Sequence, residues 1–314
     1  HEAREVFEKH GTEEFDSIYE KYEQKKGLRF SKTVKARDLI HLMLKQRAAT
    51  GRIYMINVDE ANKYCSWYTP DNPLQMSNLC QEDITPNIPM KSLDDPEAEI
   101  GICVLSAINM LKIESDADHR RTCGLVVKML DNLIDVQEYF VPAAAKFALN
   151  KRSLGIGITN LAGWLASKGL NHESPESPTV IDEFMEAQQY YLLEASCELA
   201  KEKGRCEHFD QTRYSRGEMP LDFYNKRVDE FIDREPSQDW DSLRDQISEH
   251  GLRNCTLSMA MPCEYSSIIQ GSTNGMEPIR SLFSFKTSKT STLPVLAPSI
   301  KKRTNKYSLA HQKG

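Results

Sequence analysis

Nowhere does the sequence approach the roughly 18 consecutive apolar residues that a membrane-crossing helix needs. Its start, His1-Glu2-Ala3-Arg4-Glu5, lacks the apolar stretch of a secretion signal. These two absences give the expectation of a cytoplasmic chain with no membrane partner. No CxxC pair occurs among the eight cysteines, at 65, 80, 103, 123, 197, 206, 255 and 263. Scattered through so long a chain, they suit neither a disulfide framework nor a zinc knuckle, and no metal site is expected. They read as reduced thiols, so any special cysteine must be found from its neighbours. Internal repeats, low-complexity tracts and Gly/Ser linkers are also missing. What remains is 314 residues, 39% hydrophobic and 27% charged, which excludes disorder as the main state and suffices for one large domain or two ordinary ones.

Charge is unevenly placed. The net charge is −6, yet from Pro278 to Gly314 there are eight Lys/Arg and no Asp/Glu. An acidic body with a basic tail lacks the clustered basic and aromatic face of a nucleic-acid binder, so no nucleic-acid partner is expected and the tail reads as solvated.

Along the chain, apolar spacing and stop signals predict a surface helix over 13–26, ended by Gly27, and a second running from Val34 to Gly51. Residues 53–58 read as a buried strand and 59–77 as a long loop, the kind that is usually functional or flexible. Further strands are expected over 100–106, 154–158 and 255–261, with helices over 123–136, 160–168 and 240–250. The longest helix is expected to start at a Ser177 cap with Pro178 next, to bury Ile181, Phe184, Gln188, Tyr191, Ala195 and Leu199, and to stop at Gly204. Helices alternating with short buried strands argue for α/β architecture with parallel strands, either a barrel or a doubly wound sheet. Gly155-x-Gly157 lacks the third glycine and the downstream acid of a dinucleotide fingerprint and reads as tight strand-to-helix packing. Cys206-x-His208 has nothing to complete a metal set, and Tyr190-Tyr191 reads as ordinary helix packing.

The chemically informative string is Ser77-Asn78-Leu79-Cys80-Gln81-Glu82. In an extended segment Asn78, Cys80 and Glu82 share one face, whereas a helix would turn Cys80 away from the other two. An amide, a thiol and a carboxylate presented together offer a hydrogen bond to substrate, a sulfur able to act as nucleophile or radical, and a base.

This string, followed by Ile102-Cys103-Val104-Leu105-Ser106-Ala107, resembles the large catalytic (alpha) subunit of class I ribonucleoside-diphosphate reductase. Other blocks agree in order: Thr50-Gly51-Arg52-Ile53-Tyr54, Arg152-Ser153-Leu154-Gly155-Ile156-Gly157, Gly251-Leu252-Arg253-Asn254, Met261-Pro262-Cys263-Glu264-Tyr265-Ser266-Ser267 and Ser272-Thr273-Asn274-Gly275-Met276-Glu277-Pro278. The likeness runs to about residue 298.

The resemblance implies the second part of a ten-stranded α/β barrel with the radical cysteine on a central finger loop. Cys80 would be the transient thiyl that takes hydrogen from C3′ of the ribose. Glu82 would accept the 3′-hydroxyl proton, and Asn78 would hold the sugar. Cys103 would be half of the reducing dithiol. Ser77, Asn78 and Glu82, together with Glu264, Tyr265 and Ser266 at a helix start, would bind the substrate, the latter three at its diphosphate. It implies no cofactor on this chain, a diiron-tyrosyl radical in a partner small subunit, and nucleotide effectors on a preceding part of the family's subunit. It also implies a thioredoxin or glutaredoxin type reductant.

The family's subunit carries a long segment ahead of the part matching His1, with the first half of the barrel and the cysteine that pairs with Cys103. It also continues to a tyrosine pair and a two-cysteine tail. The expectation is therefore a fragment: a barrel portion over 1–278 that needs a companion N-terminal segment, and a basic, partly flexible extension over 279–314. It would be inactive alone. The alternative is a non-catalytic assembly or scaffold piece of the same complex. The glycyl-radical branch, which lacks the carboxylate two residues after the radical cysteine, and the cobalamin-dependent branch match less well.

Overall fold

The computed structural model describes residues 3–70, 72–287, 290–298 and 307. The chain forms two compact units, His1–Asn87 and Ile88–Gly314.

The first unit is helical. Its elements are α1 (Arg4–Glu8), α2 (Phe15–Gln24), α3 (Ala36–Thr50) and α4 (Val58–Tyr64). The expected α2 and α3 are present, and α3 stops where Gly51 takes the left-handed conformation (φ 65°) and donates its amide to Arg47 O at 2.8 Å. Two expectations change here. Residues 53–58 do not form a strand, because among the described residues no neighbour pairs with them and a lone extended segment leaves its backbone groups unpaired. The supposed loop 59–77 begins instead as α4. From α4, Asn62 holds the next segment: its amide donates to Leu74 O at 2.9 Å and its oxygen accepts from Leu74 N at 2.8 Å. Gln75 reaches back to Glu8 O and His10 O at 3.1 and 3.3 Å. Trp67 and Leu74, both buried, anchor the same stretch. Residues 65–76 are thus tied at several points just before Asn78.

The second unit is mixed α/β. Strand β1 (Val104–Asn109) is followed by α5 (Asp116–Val136), α6 (Pro142–Lys151) and β2 (Leu154–Thr159), and β1 and β2 pair in parallel from Val104 opposite Leu154 to Asn109 opposite Thr159. The expected strand over 100–106 is shifted toward the C-terminus, since Ile100 N is drawn to Ala143 O at 3.1 Å ahead of the ladder. Helix α5 begins earlier than expected because Ser115 caps it, accepting from Asp118 N at 3.2 Å, with Asp116 and Asp118 in the first turn. It buries His119, Cys123, Val127, Leu130, Asp131 and Ile134 along one face and packs on β1 and on the long helix Ser177–Lys203.

Next come α7 (Leu161–Ser167), α8 (Ser177–Lys203), α9 (Pro220–Phe223), α10 (Trp240–His250), α11 (Ser266–Gln270), and the antiparallel pair β3 (Phe283–Thr287) and β4 (Thr292–Leu296). Ser177 does not cap α8. Its hydroxyl donates to Asn171 O at 2.6 Å, and Glu176 takes the cap position with no side-chain bond. Of its expected stripe, Gln188, Tyr191 and Leu199 are buried while Ile181, Phe184 and Ala195 are only partly so. Tyr190 packs edge-on against Tyr191 and Trp240. The expected strand 255–261 is reduced to a single parallel bridge from Ser258 to Ile156, flanked by Leu154 N→Thr256 O (3.0 Å) and Ile156 N→Leu257 O (2.8 Å). The barrel expectation is therefore met only in part. Among the described residues the strands make two two-stranded sheets, and the barrel is not closed.

Every residue of β2 is buried, and its two glycines are required by close neighbours. A Cβ on Gly155 would lie 2.5 Å from Leu105 Cδ2 and 2.7 Å from Met259 Sδ; on Gly157 it would lie 2.5 Å from the backbone oxygen of Met259. The neighbours are flanking extended segments, where the sequence suggested a helix. Around the start of β2 lies a charged core. Asp131, fully buried, accepts from Arg152 Nε at 2.6 Å, Lys203 Nζ at 3.3 Å and Asn254 Nδ2 at 3.2 Å, and Arg253 Nε lies 3.5 Å away. Burial alone would raise this carboxyl, but Arg152, with Arg253 and Lys203, outweighs it and holds it below the usual range.

Removing this carboxylate leaves buried cations without their partner, so Asp131→Ala should destabilise the unit by about 3–5 kcal/mol in chemical denaturation. Because the folded carboxyl titrates below its unfolded value of about 4, its contribution is present above that pH and is lost as pH falls through the folded value, and Asp131→Asn should flatten that acid limb. Wild-type stability and an unchanged acid limb would contradict the assignment. Gly157→Ala, pressed against main chain, should cost about 1–3 kcal/mol in the same assay.

Candidate functional site

Residues 78–83 form a tight turn, where the sequence suggested an extended segment. Asn78 N donates to Asp83 O at 2.9 Å, Asp83 N donates to Asn78 Oδ1 at 3.2 Å, and Gln81 N donates to Asn78 O at 3.3 Å. Gln81 is left-handed (φ 64°), a conformation that costs a non-glycine residue about 1 kcal/mol. Its side chain is tied by Nε2→Met55 O at 3.1 Å. The alternating-face argument therefore does not apply. The reversal between Asn78 and Asp83 is what gathers Asn78, Cys80 and Glu82 into one loop.

Cys80 is exposed at this turn, as are Asn78 and Leu79. Ser77 Oγ donates to Asn78 O at 2.9 Å. Glu82 is half-buried, and its Oε2 is buried with no hydrogen-bond partner among the described residues. An unsatisfied buried acceptor is disfavoured by about 1–3 kcal/mol, so a carboxylate held in this way is set to receive a donor.

The other expected residues belong to the second unit. Cys103 is half-buried just ahead of β1. Glu264, Tyr265 and Ser266 are exposed at the start of α11. Ser266 and Ser267 do not cap this helix: Tyr265 holds the cap position without a side-chain bond, and Ser267 N is already donated to Cys263 O at 2.9 Å. The loop is shaped by residues that the motif reading did not assign. Asn274 accepts from Cys263 N at 2.8 Å and donates to Glu264 Oε1 at 3.3 Å and Glu277 Oε2 at 2.9 Å. Lys286 pairs with Glu264, donates to its backbone oxygen at 2.7 Å and sits 4.2 Å from the centre of the Tyr265 ring. Arg280 lies 3.6 Å from Glu264 Oε1. Asn274 was visible in its ordered sequence block. Lys286 belonged to the tail read as solvated and gave no signal.

Among the described residues no group of three or more His, Cys, Asp or Glu is arranged to hold a metal ion, and no helix is long and apolar enough to cross a membrane.

The family profile described as the ribonucleotide reductase barrel domain matches residues 1–313. The chain belongs to this family. It is 43% identical over 295 residues to the ribonucleoside-diphosphate reductase subunit alpha of Buchnera aphidicola from Acyrthosiphon pisum, covering 94% of this chain and 39% of that protein. Against the alpha subunit of reductase 1 of Escherichia coli K12 the identity is 41% over 297 residues, covering 95% and 39%. Against the alpha subunit of Enterobacteria phage T4 it is 41% over 295 residues, covering 93% and 38%. The chain thus spans about two fifths of the length of these relatives.

The thiols should separate by reactivity, since the thiolate is the reacting form. Burial pushes Cys123 up to about 12 and Cys197 up to about 11. Iodoacetamide at neutral pH should label Cys80 first and reach Cys123 and Cys197 only after denaturation, as read by peptide mass spectrometry. Equal labelling of Cys80 and Cys123 in the native chain would contradict this burial pattern.

Proposed function

We propose that this chain is the catalytic portion of a ribonucleoside-diphosphate reductase, converting ribonucleoside diphosphates to 2′-deoxyribonucleoside diphosphates. The observation that supports it most is the closed turn carrying an exposed Cys80 beside a Glu82 carboxylate oxygen that is buried and has no partner among the described residues. A group that must accept a proton from a substrate hydroxyl needs an open acceptor site, and a sulfur that must meet a sugar carbon needs exposure.

In this reading Cys80, as a thiyl, removes the C3′ hydrogen, and Glu82 takes the 3′-hydroxyl proton while water leaves C2′. Asn78 holds the sugar and stabilises charge developing on its oxygen, and Ser77 lines the same site. Cys103 and a second cysteine supply two electrons and two protons and end as a disulfide, after which Cys80 returns hydrogen to C3′. Glu264, Tyr265 and Ser266 hold the diphosphate. A separate small subunit with a diiron-tyrosyl centre supplies the radical, and a thioredoxin or glutaredoxin type protein rereduces the dithiol.

In this reading a companion segment completes the barrel and carries the effector sites. The apolar row Leu125, Met129, Leu133 and Val136 on α5 is exposed in this chain and agrees with a need for such cover. By itself the chain should then show no nucleotide reduction.

In the completed complex, Cys80→Ser should abolish turnover, a loss of at least several orders of magnitude, while assembly measured by gel filtration is retained. Cys103→Ser should stop multiple turnover supported by the protein reductant. Full turnover in Cys80→Ser would remove the radical assignment, and turnover by the isolated chain would remove the companion.

A further inference from the structure

A second pair of thiols lies in the second unit and contains none of the residues assigned above. Cys206 follows the Gly204 stop of α8, and Cys255 opens the segment that runs beside β2. Both are buried, at 2% and 0% exposure, and their sulfurs are 3.3 Å apart, with Cys255 Sγ also donating to His208 O at 3.5 Å. The two backbones are pinned close to one another from both sides. Cys206 N donates to Leu252 O at 2.9 Å, His208 N to Asn150 O at 3.1 Å and Cys255 N to Lys151 O at 3.0 Å. Closing a disulfide from this contact requires the sulfurs to approach by only about 1 Å.

The surroundings keep the pair from reacting prematurely. Lys151 and Glu99 form a buried ion pair next to it, and His208 Nδ1 lies 3.7 Å from Glu99 Oε1. Burial holds the Cys255 thiol well above its ordinary value, so the closed site has little thiolate at neutral pH. A pair this close suits a reversible covalent link, and among the described residues no third His, Cys, Asp or Glu joins it in an arrangement that could hold a metal ion.

We propose that Cys206 and Cys255 are a redox-sensitive pair that closes to a disulfide under oxidising conditions, separate from the dithiol assigned to Cys103. The oxidant must be small enough to enter a closed site, such as hydrogen peroxide. One cysteine thiolate attacks a peroxide oxygen and expels hydroxide, leaving a sulfenic acid, and the second thiolate attacks that sulfur and expels a second hydroxide. The two thiol protons convert both hydroxides to water, the O–O bond breaks and the S–S bond forms, and the peroxide takes both electrons. The link joins the exit of α8 to the segment that leads through Met261 into the 262–267 loop, so it stiffens the support of that loop and leaves Cys80 untouched.

The test is to incubate the full native chain, or its complex, with hydrogen peroxide. Remaining thiols are then alkylated in denaturant and the linked peptides mapped by mass spectrometry. The expected result is a reductant-sensitive 206–255 linked peptide in wild type and equally in a Cys80→Ser/Cys103→Ser double variant, with a rise in the urea midpoint of the oxidised protein. Cys206→Ala and, independently, Cys255→Ala should lose both the link and the rise; two variants guard against one failing to fold. Recovery of Cys206 and Cys255 as alkylated thiols or as separate sulfinic acids, while other cysteines have been oxidised, would overturn the proposal. Loss of the link in the Cys80→Ser/Cys103→Ser variant would do so too.

Discussion

A single buried carboxylate organises the larger unit. Asp131 sits on α5 with no exposure and receives Arg152 from the turn before β2, Lys203 from the end of α8, and Arg253 and Asn254 from the segment after α10. Charges in so dry a position are tolerable only when each finds a partner, so four separate parts of the chain are obliged to meet at one point. Arg152 accepts left-handed backbone (φ 49°) to be there, and its guanidinium also reaches Asp131 O at 2.7 Å and Asp135 Oδ1 at 2.8 Å. Asn254 closes the arrangement with Ser196, whose hydroxyl donates to Asn254 Oδ1 at 2.9 Å.

That anchorage is transmitted along β2 to the loop assigned to the diphosphate. At the strand's far end Asn160, again left-handed (φ 73°), donates N–H to Thr273 O at 3.0 Å and accepts from Thr273 N at 3.1 Å. Thr159 Oγ1 donates to the same Thr273 oxygen at 2.8 Å. The 272–275 turn is thereby fixed to the end of β2, and from it Asn274 grips Cys263 and Glu264. The glycines of β2 matter for the same reason: they let Leu105 and Met259 close over the strand that connects the charged core to the loop. In the other unit, Glu82 has one buried oxygen with no partner among the described residues.

What could be read from the sequence followed local rules. Helices α2, α3 and α10 announce themselves by apolar spacing and by Gly27, Gly51 and Gly251 near their ends, whereas the Asp239 cap of α10, which accepts from Ser242 N at 3.1 Å, was not read from the sequence. Misreadings arose where a side chain had a better bond elsewhere, as at Ser177, where an extended segment needed a neighbour that the described residues do not supply, as at 53–58, or where pairing is held to a single bridge, as at 255–261. The string around Cys80 was legible as chemistry but not as geometry. Its reversal depends on Asp83 and on a left-handed Gln81 tied to Met55, and glutamine carries no signal for that conformation. Lys286 was hidden because its pairing with Glu264 is created by the β3–β4 hairpin and not by proximity in sequence.

In the proposed reaction two sulfurs divide the labour: Cys80 would be returned unchanged, and Cys103 would be consumed until rereduced. The most direct measurement is a thiol map of the completed, prereduced complex after a single turnover without external reductant, with each cysteine identified by differential alkylation. The account predicts one deoxyribonucleotide formed per disulfide containing Cys103, with Cys80 recovered as a free thiol. Product formed with Cys103 still reduced, or with Cys80 in the disulfide, would contradict it.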